Sequence, residues 1–229
     1  MVSTKELVIA AYERDLSWLN NVNQGVKITV YRKGNALPLK DNEIKIEPNL
    51  GRCVHTFFNH LYLNYDNLYD YTFFAQDYPF DHWGNILEML NGDIEISKNS
   101  ANLKIGGYYG FNNNSGNNGI VSELTESLHF SGRKVLRCSP NGQPHHPGLN
   151  VSKYWNYLFS DSNKTPEFYE FIPGGHFFVS KDHVKLRSKN FYKKIVDILI
   201  KDPGSPWIIE RMEGYIFDIS LKDNREFKT

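Results

Sequence analysis

Short apolar runs alternate with amphipathic stretches along the first third of the chain. Residues 7–11 (Leu-Val-Ile-Ala-Ala) form an uninterrupted apolar run, the pattern of a strand buried on both faces. Asp15 then stands where it can cap a short helix carrying Leu16, Trp18, Leu19 and Val22. Residues 26–31 alternate and are rich in β-branched side chains, which predicts a second strand. Strand, helix and strand in this order predict a βαβ unit with parallel strands.

A polar loop is predicted over residues 32–50. Val54, Phe57, Phe58, Leu61, Tyr62 and Tyr65 then recur at helical spacing, which predicts a helix over 52–65. Residues 71–75 predict a third strand, stopped by Pro79, with Asp81 placed to cap a helix running to about Leu90. Farther on, 177–179 predict a strand and 189–200 an amphipathic helix, and Pro206 opens a last helix containing Trp207, Ile208, Met212, Tyr215 and Ile216. Two stretches lack periodicity: an Asn/Gly-rich loop at about 99–119 and a Pro/His loop at about 139–150. The expected architecture is one α/β domain over 1–229, with a mixed, mostly parallel central sheet and helices on both faces.

Composition narrows the function classes. The 26 basic and 26 acidic residues balance and form no basic stripe, so nucleic acid is not an expected partner. No run approaches the roughly 20 apolar residues of a membrane span, and the start of the chain lacks the apolar core of a secretion signal. With two distant cysteines, Cys53 and Cys138, the expected compartment is the reducing cytoplasm. Aromatic residues reach 14%, which fits either a sugar-stacking cleft or an aromatic core. No phosphate-binding Gly-x-x-x-x-Gly-Lys loop and no Gly-x-Ser-x-Gly elbow is present, against a P-loop phosphotransferase and a serine hydrolase.

In open α/β sheets ligands bind beyond the carboxyl ends of the strands. Three predicted segments leave the sheet there on polar residues: Tyr12 to Asp15, Arg32 to Gly34, and Gln76 to His82. Asp77 and Asp81 are candidate ligands for Mg²⁺ or Mn²⁺, the alternative being a turn residue and a helix cap. Gly51-Arg52 ahead of a helix reads either as an anion site or as a turn followed by a solvated Arg. Tyr12 either stacks on a base or packs. Gly174-Gly175-His176 allows close backbone approach to a ligand or simply turns into a strand. Glu210 is a candidate general base, or a solvated helical Glu. His145-His146 is too isolated to define a zinc site. Asp77 with Glu210 could also be read as the carboxyl pair of a glycoside hydrolase, a reading that ranks last.

Several co-linear stretches carry a resemblance. Residues 7–19, Val-Tyr-Arg-Lys-Gly (30–34), Pro-Asn-Leu-Gly-Arg-Cys-Val-His-Thr (48–56), 64–76, Pro-Phe-Asp-His (79–82), Gly-Gly-His-Phe-Phe-Val-Ser (174–180) and 206–217 together resemble a mostly uncharacterised family related to glycosyltransferases of the GT-A class. The resemblance implies a GT-A fold and a sugar-transfer enzyme using a nucleotide-sugar donor, a UDP-sugar foremost, with Mn²⁺ or Mg²⁺ held by an Asp-x-Asp-type motif. It implies donor contacts from Ala11, Tyr12, Glu13, Arg32, Gly51, Arg52, Gln76 and Asp77. Gly174, Gly175 and His176 are implied to face a glycan or other hydroxyl acceptor, with Glu210 and Asp81 catalytic. The motif departs from the family's pattern, because Gln-Asp-Tyr-Pro-Phe-Asp replaces Asp-x-Asp and moves the second carboxylate to Asp81. The alternative is a non-catalytic protein of the same fold that binds carbohydrate or nucleotide sugar.

Overall fold

A computed structural model describes residues 3–33, 43–46, 49–81, 83–84, 86–92, 108–111, 128–130, 133–143, 146–159, 165–171 and 175–218. Nine strands occur among them: β1 (Lys5–Ala11), β2 (Val26–Arg32), β3 (Glu43–Lys45), β4 (Tyr71–Gln76), β5 (Tyr108–Phe111), β6 (Leu128–Phe130), β7 (Arg133–Cys138), β8 (Tyr169–Phe171) and β9 (His176–Ser180). The helices are α1 (Arg52–Leu63), α2 (Ile86–Asn91), α3 (Val151–Phe159), α4 (Lys181–Lys185), α5 (Lys189–Lys201) and α6 (Ser205–Ile216).

Six strands form the central sheet in the order β3-β2-β1-β4-β9-β5. The first four are parallel, while β9 runs antiparallel to both β4 and β5. The architecture is therefore α/β with a mixed, mostly parallel sheet. A small antiparallel sheet, β6-β7-β8, completes the set, and β8 packs against α6.

Successive strand residues point to opposite faces, and here each face has its own core. Leu7, Ile9, Phe73 and Phe178 pack with Trp83, Ile86 and Leu90 on one side. Val8, Ala10, Phe74 and Phe177 pack on the other with Phe57, Phe58 and Leu61 of α1, Leu199 of α5 and Met212 of α6. Helices therefore cover both faces, and β1, buried at all seven positions, lies in the middle. Each fully buried Leu or Phe contributes about 1.5–3 kcal/mol. The aromatic excess belongs mainly to this core: Phe57, Phe58, Phe73, Phe74, Phe177, Phe178 and Phe217 are fully buried.

Some expectations are corrected. The segment after β1 makes a single 3₁₀ turn, Ser17–Asn21, whose cap position is Leu16; Asp15 accepts a hydrogen bond from the Ser17 hydroxyl instead of capping a helix. Helix α2 starts at Ile86, five residues after Asp81, so Asp81 is an exposed turn residue and not its cap. Strand β3 lies within the expected polar loop and β5 within the expected Asn/Gly loop, most of which is outside the described residues. No helix among the described residues is long and apolar enough to cross a membrane.

Candidate functional site

The register brings the strand ends level. Ala11 pairs with Arg32 and Ala10 with Gln76, so Tyr12, Lys33 and Asp77 leave the sheet side by side. Asp77 is 7% exposed, and its Oδ2 accepts the main-chain N–H of Tyr12 at 2.8 Å and of Arg14 at 3.2 Å. Its carbonyl oxygen accepts the indole N–H of Trp18 at 2.8 Å. Asp77 thus fixes the turn after β1. Arg32 grips the same turn from the other side, donating from Nη1 to the Tyr12 carbonyl at 2.9 Å. The rest of its guanidinium is paired with Glu43 at 3.2 and 2.5 Å. Arg32 is consequently committed to the scaffold.

Lys33 is 1% exposed. Its Nζ donates to the carbonyls of Leu50 at 2.7 Å and Arg52 at 2.6 Å, on either side of Gly51. Burial pushes its pKa down to about 8, against a smaller upward pull from Cys53. Gly51 and Arg52 both adopt the left-handed region, with φ of 67° and 54°. A non-glycine residue there is strained by about 1 kcal/mol or more. The two Lys33 hydrogen bonds hold that geometry. Behind the turn, burial pushes the His55 imidazole down to about 4, with Lys33 adding a like-charge contribution.

The turn opens onto a cavity of about 250 Å³ lined by Tyr12, Asn49, Leu50, Gly51, Arg52, Leu199, Ile200, Pro203, Pro206 and Trp207. The Arg52 guanidinium lies over the Trp207 indole, 5.2 Å from the ring centroid. Burial pushes the Tyr12 phenol up to about 12, Cys53 and Asp77 add to the rise and Arg52 opposes it, so Tyr12 is a neutral hydrogen-bonding ring at ordinary pH.

A second group lies beside the cavity. The Gln76 side-chain amide donates to Cys53 Sγ at 3.3 Å, and the Gln76 main-chain N–H reaches His176 Nε2 at 3.4 Å. His176 is buried, and a Cβ on Gly175 would stand 3.7 Å from Cys53 Sγ. Burial raises the Cys53 pKa; the Glu210 charge raises it further, while Gln76, Arg52 and Lys33 oppose the rise. Glu210 therefore lies within electrostatic reach of Cys53. It also stands three residues after Trp207 on α6, on the same side of the helix. Its Oε2 is 3.7 Å from Nη1 of the buried Arg211.

The structure thus gathers Tyr12, Gly51 and Arg52 at one cavity, with Gln76, Gly175, His176 and Glu210 close by. Ala11 is fully buried, Glu13 is exposed, and Gly174 lies outside the described residues. One Asp77 oxygen already serves two N–H groups, Asp81 is exposed, and the described residues contain no group of three or more His, Cys, Asp or Glu suited to a metal ion. Sequence reasoning missed Lys33, Cys53 and Trp207 as site residues. The signal for Lys33 was its place one residue beyond a buried strand, and for Trp207 its place beside the proline that opens α6.

A family model described as "Protein of unknown function (DUF3431)" matches residues 7–227. No curated protein and no solved structure matches the chain.

Proposed function

We propose, for a chain that belongs to the DUF3431 family, that its site transfers a sugar from a nucleotide-sugar donor, a UDP-sugar first, to an acceptor hydroxyl. One observation carries this reading: a cavity at the carboxyl edge of the parallel strands joins an aromatic wall, Tyr12 and Trp207, to an Arg52 guanidinium, with Glu210 three residues along the same helix. That combination suits a donor with a flat base, a polyanion and a reacting carbon. In this reading Tyr12 flanks the base and Arg52 holds the diphosphate by charge-assisted hydrogen bonds. Gly175 and His176 border the acceptor. In an inverting reaction Glu210 takes the acceptor proton as the acceptor oxygen bonds to the anomeric carbon and the bond to the diphosphate breaks. A Mn²⁺ or Mg²⁺ ion enters the proposal only with the diphosphate, which would supply most of its oxygens beside Asp77. Cys53 and Cys138 are free and buried, in keeping with a reducing compartment, and we assign the protein to the cytoplasm on that ground.

A second reading is favoured by Asp77. Its carboxylate is engaged with the main chain and Asp81 is exposed, an arrangement suited to a protein that binds a nucleotide sugar without turning it over. Release of nucleoside diphosphate separates the two. Each donor of a nucleotide-sugar panel is incubated with the protein, Mn²⁺ and a mixture of simple sugar acceptors, and free diphosphate is measured. Transfer predicts release that falls at least roughly 100-fold in Glu210→Gln, the order expected for loss of a general base. Donor binding without release supports the binding protein and counts against the enzyme.

A further inference from the structure

Among its described residues, the Pro/His loop brings His146, which the proposed reaction leaves unused, to the candidate site. His146 is exposed, and its ring centroid lies 5.3 Å from that of Trp207. Arg52 reaches the same indole from α1, at 5.2 Å. Neither His146 nor Arg52 has an acidic partner among the described residues. The third cation nearby, Arg211, is held from within α6, where Nη1 donates to the Trp207 carbonyl at 2.6 Å and its guanidinium lies over Phe171. Glu210, 3.7 Å from Arg211, and the buried Glu213 are the acids on that helix. Two exposed cationic or titratable groups, on separate elements, therefore meet the indole of Trp207, a residue that lines the open cavity.

We propose that His146 and Arg52, set against Trp207, form a subsite for an oxyanion, a phosphate or carboxylate group of the bound ligand. His146 has a pKa lowered by burial and by the like charges of Arg211 and Arg52. An anion placed between His146 and Arg52 reverses that repulsion and draws a proton onto the imidazole. The subsite therefore strengthens its own charge as the ligand arrives. His146 also adopts the left-handed region, with φ of 57°, which fixes the direction in which its ring leaves the loop. Two sources fit this chemistry: the diphosphate of a nucleotide, and an acidic sugar or sugar phosphate acting as acceptor. The subsite borders the proposed donor cavity, but it does not depend on sugar transfer.

Sulfate is a suitable probe because its charge is constant over the relevant pH range. The His146 imidazole is titrated by NMR in the intact chain, with and without sulfate, in wild type and in Arg52→Gln. The expected result is a saturable rise of about half a unit or more in wild type that is largely lost in Arg52→Gln. Sulfate affinity measured by calorimetry is expected to fall several-fold from pH 5.5 to pH 8 in wild type and to stay level in His146→Asn. Asn tolerates the left-handed backbone, so that variant keeps the loop. A His146 titration unmoved by saturating sulfate, or moved equally in Arg52→Gln, overturns the proposal. The same titration with UDP and with glucuronate assigns the source. A shift with UDP places the nucleotide's diphosphate in the subsite, a shift with glucuronate alone places an acidic acceptor there, and a shift with neither overturns the assignment to a ligand. Loss of nucleotide-sugar turnover with the sulfate response intact would leave the subsite standing and remove the transferase reading.

Discussion

His55 and Lys33 lie within electrostatic reach of each other at the turn that opens the cavity, and both are buried titratable groups. Burial drives each toward its neutral form, which costs less to remove from water. For His55 this has a direct consequence. Its imidazole titrates near 4 in the folded chain, against an ordinary 6.5. Between those values the unfolded chain binds a proton that the native chain refuses, so stability is lost as pH falls from 6.5 toward 4. The expected loss is about 3 kcal/mol. His55→Leu removes the titrating group together with a buried Nδ1 that has no hydrogen-bond partner among the described residues. Urea unfolding at pH 7 and pH 4.5 should show a smaller pH dependence in that variant; an unchanged dependence would mean that His55 does not control it. At this scale the sequence was half legible. Asp77 was found because a carboxylate follows a buried strand, but its hydrogen bonds to Tyr12 and Arg14 depend on a register between β1 and β4 that no local pattern encodes.

The start of α1 is the element on which the cavity depends. Gly51 occupies its cap position at φ 67°, and a Cβ there would come within 2.6 Å of the His55 Cβ and 2.8 Å of the Leu199 carbonyl oxygen. Neither contact can yield without moving α1 or α5. Gly51→Ala is therefore expected to destabilise the fold by about 2–4 kcal/mol, from left-handed strain plus overpacking. Thermal unfolding checks this, and a variant as stable as wild type would show that the turn relaxes at no cost. The long periodic elements were readable in advance: α1, α5, α6, β1, β2 and β4 fall where the hydrophobic pattern predicts them. Helix α3 was not among the predicted elements, although Val151, Tyr154, Trp155 and Leu158 carry the i, i+3, i+4, i+7 spacing of a buried stripe. The strands β3 and β8, three residues each, were not, since so short a segment cannot show a period of two. Their partners across the sheet define them.

At the scale of the molecule, the sheet positions the site. Four parallel strands deliver their carboxyl ends to one edge, and α1 and α6 frame the cavity there. The α/β architecture was legible because uninterrupted apolar strands such as 7–11 must be covered on both faces. The candidate site was legible only as a set of strand ends. Its walls come from Arg52 and Trp207, 155 residues apart in the chain, and only the fold joins them.

Whether this cavity binds a nucleotide-sugar donor is decided by thermal unfolding against a panel of nucleotide sugars, each with and without Mn²⁺. A ligand that binds only the folded chain raises the melting temperature by mass action, by about 2.7 kcal/mol of added stability at one hundred times its Kd. The expected result is a shift with one nucleotide, enlarged by Mn²⁺ and lost in both Arg52→Gln and Trp207→Leu. No shift with any donor at millimolar concentration, or a shift that survives in both variants, would contradict it.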